Sequence, residues 1–364
     1  MKKKLFKLGK NIIILFNIVL FITILGYFLL YHFAYRQLDK KGSYKTVSPM
    51  ILSVKGYVIN KNEREIFLKA NPVGFVLREH NMRDLKQTQE LVKSLRSLFP
   101  TRKILLCLDQ EGGRVDRLYK TTGSRYKSAK YYGDIAELDL ERAKKLLYLE
   151  AKKTATEMKR IGFDLNFAPV LDIGDADISD LGDRIYSDDI NIVNALIGEY
   201  LKAFAEVGVY VTMKHIPGLG RGMVDTHDES AHIKASREDL ANYDFRTFAE
   251  FVDLAKFAMV NHAIYEAIDP RREATFSEEI VRVIKEDIGY NNLLIADAFN
   301  MLAVRGYSLQ QRARMSLDAG IDIIMPNQHL IGGKMEILDV ITESDLRKFQ
   351  ERLKMVGLTD LIAK

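Results

Sequence analysis

Cysteine is nearly absent from this 364-residue chain: Cys107 stands alone. One thiol excludes an internal disulfide framework and a cysteine-based zinc site. It sits inside the apolar run Ile104-Leu105-Leu106-Cys107-Leu108 and reads as a buried thiol rather than a reactive one. Low-complexity tracts are missing. No Gly-x-Gly-x-x-Gly follows the first strand pattern, which counts against a dinucleotide fold. No His-x-x-x-His or His-x-His spacing occurs around His215 and His227, so no metal is expected. Nothing in the chain calls for a cofactor.

Positive charge is scarce where a nucleic-acid binder would need it. The chain carries a net charge of +5. Residues 1–45 hold eight Lys, one Arg and one Asp, a net +8, which leaves the rest at −3. Nucleic-acid binders carry their positive charge on the folded face, so a nucleic-acid partner is excluded.

What is there begins with the tail. Lys2, Lys3, Lys4, Lys7 and Lys10 form a basic segment, residues 1–10. An uncharged run, residues 11–35, follows, and Ile12–Tyr31 alone is about the length that crosses a bilayer. Tyr27, Tyr31 and Tyr35 fall near its far end, where aromatic rings favour the interface. The run is too long for a signal-peptide core and no small-residue cleavage site follows it. The expectation is one transmembrane anchor with the lipid bilayer as partner. Residues 36–48 would be a stalk and 49–364 a catalytic barrel. The lysine asymmetry places the N-terminus inside and the body on the outer side of the cytoplasmic membrane.

In the body, short apolar runs alternate with amphipathic helical patterns. Strand patterns cover Ile51–Val54, Gly74–Leu77, Ile104–Leu108, Leu165–Leu171, Val209–Met213, Phe257–His262, Leu293–Ala296 and Asp322–Met325. Helical patterns include Thr88–Phe99, Leu140–Ile161, Asn194–Val207, Ser277–Ile288, Leu309–Ala319 and Asp345–Met355. Such alternation implies a parallel sheet. Eight strand patterns predict an α/β fold, a (β/α)8 TIM-like barrel preceded by the transmembrane helix. A doubly wound open sheet is the alternative. Barrel sites lie at the carboxyl ends of the strands. There the sequence puts Asp109 and Glu111, Asp172, Lys214 and His215, His262, Asp297 and Asn327.

Two acid/base devices stand out. Lys214-His215-Ile216-Pro217-Gly218-Leu219-Gly220 leads into Asp225-Thr226-His227. A histidine beside an aspartate is held in one tautomer and moves protons near neutral pH. The bland alternative is two solvated loop residues. Asp297 emerges from the apolar run Leu294-Ile295-Ala296, which suits a rigidly held nucleophile. The same position suits a helix cap, and position alone leaves both readings open.

Taken together, these motifs resemble glycoside hydrolase family 3, in its single-domain bacterial β-N-acetylhexosaminidase branch. The likeness is carried by Asp109-Gln110-Glu111-Gly112-Gly113-Arg114-Val115, Asn166-Phe167-Ala168-Pro169-Val170-Leu171-Asp172, Gly182-Asp183-Arg184, the Lys214-His215 and Asp225-Thr226-His227 pair, and Asp297-Ala298-Phe299-Asn300-Met301. The resemblance implies Asp297 as nucleophile, His227 as general acid/base and Asp225 as its orienting partner. It further implies Asp109, Arg117, Arg184, Lys214 and His215 as ligands of a non-reducing N-acetylglucosamine. Retention of configuration through a glycosyl-enzyme would follow.

The chain departs from the family's pattern at Leu219, at Arg221-Gly222 and at Asn292. Arg221 is expected to meet an anionic leaving group. The anticipated function is removal of N-acetylglucosamine from cell-wall-derived glycans or muropeptides. A phosphorylase or β-glucosidase of the same family and a tethered glycan-binding scaffold are the alternatives.

Overall fold

The structure is a computed structural model that describes residue 26 and residues 46–221, 231–326 and 336–362. Residues 45–364 make one compact unit. Its strands are β1 (Ser48–Ser53), β2 (Pro72–Leu77), β3 (Leu105–Leu108), β4 (Leu165–Asn166), β5 (Tyr210–Ile216), β6 (His232–Ile233), β7 (Phe257–Val260), β8 (Ile264–Tyr265) and β9 (Leu293–Ala296). Seven of them form one parallel sheet in the order β1-β2-β3-β4-β5-β7-β9, while β6 and β8 pair separately. Sequential order with parallel pairing requires a crossover after each strand, and helices fill the crossovers.

The expected eighth strand and membrane helix need correction. Where Asp322–Met325 was read as a strand, only two isolated parallel bridges form, Ile323 to Ile295 and Ile324 to Met50. Local chemistry explains the shortfall. The Asp322 carboxylate takes the Leu294 N–H at 2.9 Å and the Arg352 guanidinium at 2.8 Å. Pro326 then offers no N–H to continue a ladder. The result is a curled sheet of seven regular strands, with these bridges linking β9 and β1. Among the described residues no helix is long and apolar enough to cross a membrane. The longest, Leu140–Ile161, is studded with Lys, Arg and Glu. The anchor expected at residues 11–35 lies, apart from Gly26, outside the described residues.

The helices start and stop on local chemistry. Leu140–Ile161 begins where the Asp139 side chain accepts the Arg142 N–H, and ends at Gly162 with φ 110°. It packs along Ile190–Val207, which Asp189 caps. Beneath the sheet lies one buried cluster, including Val76, Leu105, Cys107, Phe257, Met259 and Ile295. The C-terminal helix, Glu343–Met355, adds Phe349 and Leu353 to that cluster. Each such side chain stabilises the fold by roughly 1.5–3 kcal/mol through burial. Burial also pushes the Cys107 thiol well above its ordinary range, as expected for an inert core cysteine.

Candidate active site

Because the strands run parallel, their carboxyl ends share one edge of the sheet, and the polar residues that follow them converge. Asp109, Glu111, Arg117, Arg184, Lys214, His215 and Asp297 line a single cleft of about 690 Å³. Seven of the eight ionisable residues lining it were expected from the motifs; Arg78, directly after β2, was not.

Lys214 is the centre of one wall. It leaves β5 into the sheet interior and only 2% of its side chain is exposed. Burying an ammonium is costly unless it is paired and hydrogen-bonded. Lys214 Nζ lies 2.5 Å from Glu111 Oε1 and 3.2 Å from Asp109 Oδ1. Glu111 also receives Arg184 in a bidentate grip, at 2.7 and 3.0 Å. Burial alone would raise the Glu111 carboxyl. The Arg184 and Lys214 charges overcome it and hold the group well below the usual carboxylate range. Arg184 is held in its charged form by the same pairing, against its own burial.

His215 is fixed on both sides. Its Nδ1 lies 2.6 Å from Asp172 Oδ2, and its Nε2 lies 3.2 Å from Arg184 Nη2. A carboxylate only accepts and a guanidinium only donates. The proton therefore sits on Nδ1, and the Nε2 lone pair faces Arg184. Asp172 also accepts the backbone N–H groups of His215 and Leu219, at 3.1 and 2.6 Å. Leu219, a departure from the family's pattern, thus serves the site through its backbone while its side chain is buried.

The chain beyond β5 is tied down as far as Arg221. Tyr265 Oη donates to the Gly218 carbonyl at 2.6 Å, and Asn261 Nδ2 donates to the His215 carbonyl at 2.9 Å. Gly218 has φ 131°, and a Cβ there would strike the Asp244 side chain. Arg221, expected from the sequence to meet an anionic leaving group, already has a carboxylate partner within this chain. Its Nε lies 2.7 Å from the buried Asp244 carboxylate, and its guanidinium lies over the Tyr243 ring at 5.4 Å. Burial pushes Asp244 up to about 6, against the Arg221 charge. Asp225 and His227 lie outside the described residues, as does Asn327.

Asp297 follows β9 directly. Its backbone N–H donates to the Val260 carbonyl at 3.0 Å, and its Oδ1 accepts the Ala298 N–H at 2.6 Å. The neighbouring wall is aromatic and neutral. His262 is fully buried beside Phe276 and Phe299, with ring centroids 6.2 and 6.4 Å away. Its Nε2 lies 3.3 Å from the Ala298 carbonyl, so that nitrogen carries the proton. Burial pushes His262 below its ordinary value despite the nearby Asp297 charge. Asn292, the third departure, donates to the Val252 and Ala255 carbonyls and fixes the approach to β9.

Arg117 lines the cleft and reaches Glu79 at 3.6 Å. Gln110 shapes the same loop: its Oε1 accepts the N–H groups of Arg117 and Leu118, at 2.8 and 2.9 Å. Sequence reading noted Glu111 and Asp172 at strand ends but did not assign them a role. Their partners lie 73 and 43 residues away along the chain, a pairing no local pattern reveals. Among the described residues no group of three His, Cys, Asp or Glu side chains is arranged to hold a metal ion.

Residues 39–355 match the profile of the glycosyl hydrolase family 3 N-terminal domain. A β-hexosaminidase of Xylella fastidiosa (strain M12) is 31% identical over 278 residues, covering 76% of this chain and 82% of that protein. Native NagZ from Neisseria gonorrhoeae superposes with a TM-score of 0.76 at 24% identity, covering 86% of this chain and 94% of that one. A family 3 β-N-acetylglucosaminidase from Paenibacillus sp. str. FPU-7 superposes with a TM-score of 0.77 at 23% identity, covering 86% of this chain. The chain spans only 61% of that longer enzyme.

Proposed function

The chain belongs to glycosyl hydrolase family 3 and is a glycoside hydrolase; from this we propose that it is a retaining β-N-acetylglucosaminidase, with residues 49–364 as its catalytic unit. The observation that carries the reading is the convergence of Asp297 with the Lys214, Glu111, Arg184 and His215 network in one cleft. A sugar ring needs several fixed hydrogen-bond partners and one electrophilic carbon placed against a nucleophile. The paired wall offers the first and Asp297 the second. The β-hexosaminidase relatives favour N-acetylglucosamine as the terminal sugar.

In this reading the Asp297 carboxylate attacks the anomeric carbon of the substrate. The bond to the leaving oxygen breaks, and His227 gives that oxygen a proton. A glycosyl ester on Asp297 results. Water, losing its proton to His227, then attacks the same carbon, and Asp297 departs as carboxylate. Two inversions give net retention. Asp225 orients His227, and the sequence motif alone supports both of these roles. Asp109, Arg117, Arg184, Lys214 and His215 bind the hydroxyl and acetamido groups. Positioned ionic hydrogen bonds of this kind contribute roughly 1.5–3 kcal/mol each. The expected substrates are N-acetylglucosamine-containing glycans or muropeptides.

The test is release of p-nitrophenol from its β-N-acetylglucosaminide by the full-length chain, with and without phosphate. Asp297→Ala and His227→Ala run beside it. Loss of roughly 10⁴-fold or more in Asp297→Ala supports the reading. Equal activity in Asp297→Ala contradicts it. A sugar phosphate among the products would make the enzyme a phosphorylase.

A further inference from the structure

The cations of the cleft are not alike. Lys214 and Arg184 are neutralised by Glu111 and Asp109, and Arg117 has Glu79 at 3.6 Å. Arg78 lines the same cleft, yet no carboxylate lies within ion-pair distance of it among the described residues. Its Nε is buried and has no hydrogen-bond partner. A buried donor left unmade costs roughly 1–3 kcal/mol.

The root of this side chain is rigid. Arg78 directly follows β2, and its N–H donates to Asn81 Oδ1 at 2.9 Å. Asn81 is itself buried and donates to the Val54 and Gly56 carbonyls at 2.9 and 3.0 Å. The guanidinium is thus presented to the cleft from a fixed base, at the same end of the sheet as Asp109 and Asp297. A guanidinium is a planar fork of donors that matches carboxylate and phosphate oxygens. A neutral sugar hydroxyl makes one such bond and leaves the charge unmet.

We propose that Arg78 is a specificity-determining residue that receives an anionic oxygen group, carboxylate or phosphate, brought into the cleft by the substrate or by an acceptor. The inference rests on the glycosidase reading of the same cleft and adds the charge of what enters it. Three sources share this chemistry: a carboxylate on the leaving group, a phosphate on the terminal sugar, and free inorganic phosphate.

The experiment uses the full-length chain and compares wild type with Arg78→Met, which keeps length and removes charge, and with Arg78→Lys. Four probes are measured: p-nitrophenyl β-N-acetylglucosaminide, its 6-phosphate, the analogue with a carboxylated nitrophenyl leaving group, and inorganic phosphate by calorimetric titration. The expected result is a roughly 10- to 100-fold loss in Arg78→Met for at least one anionic probe, with the neutral glycoside within about threefold. Arg78→Lys should recover part of that loss. The probe that suffers identifies the source. In wild type the same preference should fall as salt rises, a readout that needs no variant.

Equal responses of wild type and Arg78→Met to all three anionic probes would overturn the inference while leaving the glycosidase reading intact. If no glycoside turns over, that reading fails by itself. Phosphate titration then decides the inference: binding that Arg78→Met weakens supports it, and binding that Arg78→Met leaves unchanged overturns it.

Discussion

Lys214 and Asp297 line the same cleft, yet their surroundings are built in opposite ways. Around Lys214, at the ends of β3, β4 and β5, the charged groups are paired: Glu111 is met by Lys214 and Arg184, and Asp172 holds the Nδ1–H of His215. Around Asp297, at the ends of β7 and β9, the neighbours include a neutral His262 and the rings of Phe276 and Phe299. A charge locked in pairs is a good fixed hydrogen-bonding surface and a poor reactant. On the Asp297 side the carboxylate accepts the Ala298 N–H and has neutral and apolar side chains among its neighbours. In the proposed reading, one wall holds the sugar and the other reacts with it.

This contrast is open to direct attack by substitution. The largest effect is expected at the reactive wall: Asp297→Asn should cost roughly 10⁴-fold in kcat while leaving the urea unfolding midpoint almost unchanged. A variant that lost stability as heavily as activity would erase the distinction between the walls. Next comes the paired wall. Glu111→Gln strips the shared counter-charge from Lys214 and Arg184 and should cost about 3–5 kcal/mol of unfolding free energy. The pH dependence follows from sign. Because the folded Glu111 carboxyl is depressed, its contribution is full above the ordinary glutamate range and is lost as pH falls through and below it. Denaturant titrations at neutral and acid pH should show the gap between variant and wild type closing in acid.

The smallest of the three sharpens the comparison at the loop root. Asp244 is raised to about 6 from 3.8 by burial, so its protonated form is the one the fold prefers. Its contribution is therefore favourable in acid and declines as pH rises from about 4 through about 6, by up to about 3 kcal/mol. Asp244→Asn should remove that dependence. Its stability relative to wild type should improve between pH 4 and pH 7.5 in urea titrations. A gap that stays constant with pH would refute the account of Asp244.

Much of this contrast was legible in the sequence, because an ionisable residue directly after an apolar strand announces itself. Asp109, Lys214, His215 and Asp297 were found that way, and the strand Leu293–Ala296 has the bounds read from the sequence. The strand bounds failed where side chains replace backbone partners. Leu165–Leu171 shrinks to Leu165–Asn166, where Asn166 Oδ1 takes the Gln110 N–H at 2.9 Å and Pro169 has no N–H to give. Asp322–Met325 fails likewise. Three-dimensional pairings were invisible: Asp244, in a polar helical stretch, gives no sign that it meets Arg221. Arg78 was missed because Glu79, His80 and Asn81 follow it, and the whole stretch reads as a solvated turn.

The most direct measurement is mass spectrometry of the full-length His227→Ala chain quenched during turnover of an activated aryl β-N-acetylglucosaminide. An aryl leaving group departs with little help from an acid, whereas the second step still needs the base, so the intermediate should accumulate. The account predicts one N-acetylglucosaminyl unit on the peptide containing Asp297, absent when Asp297 is also replaced. Turnover with no adduct, or an adduct on Glu111 or Asp109, would contradict it.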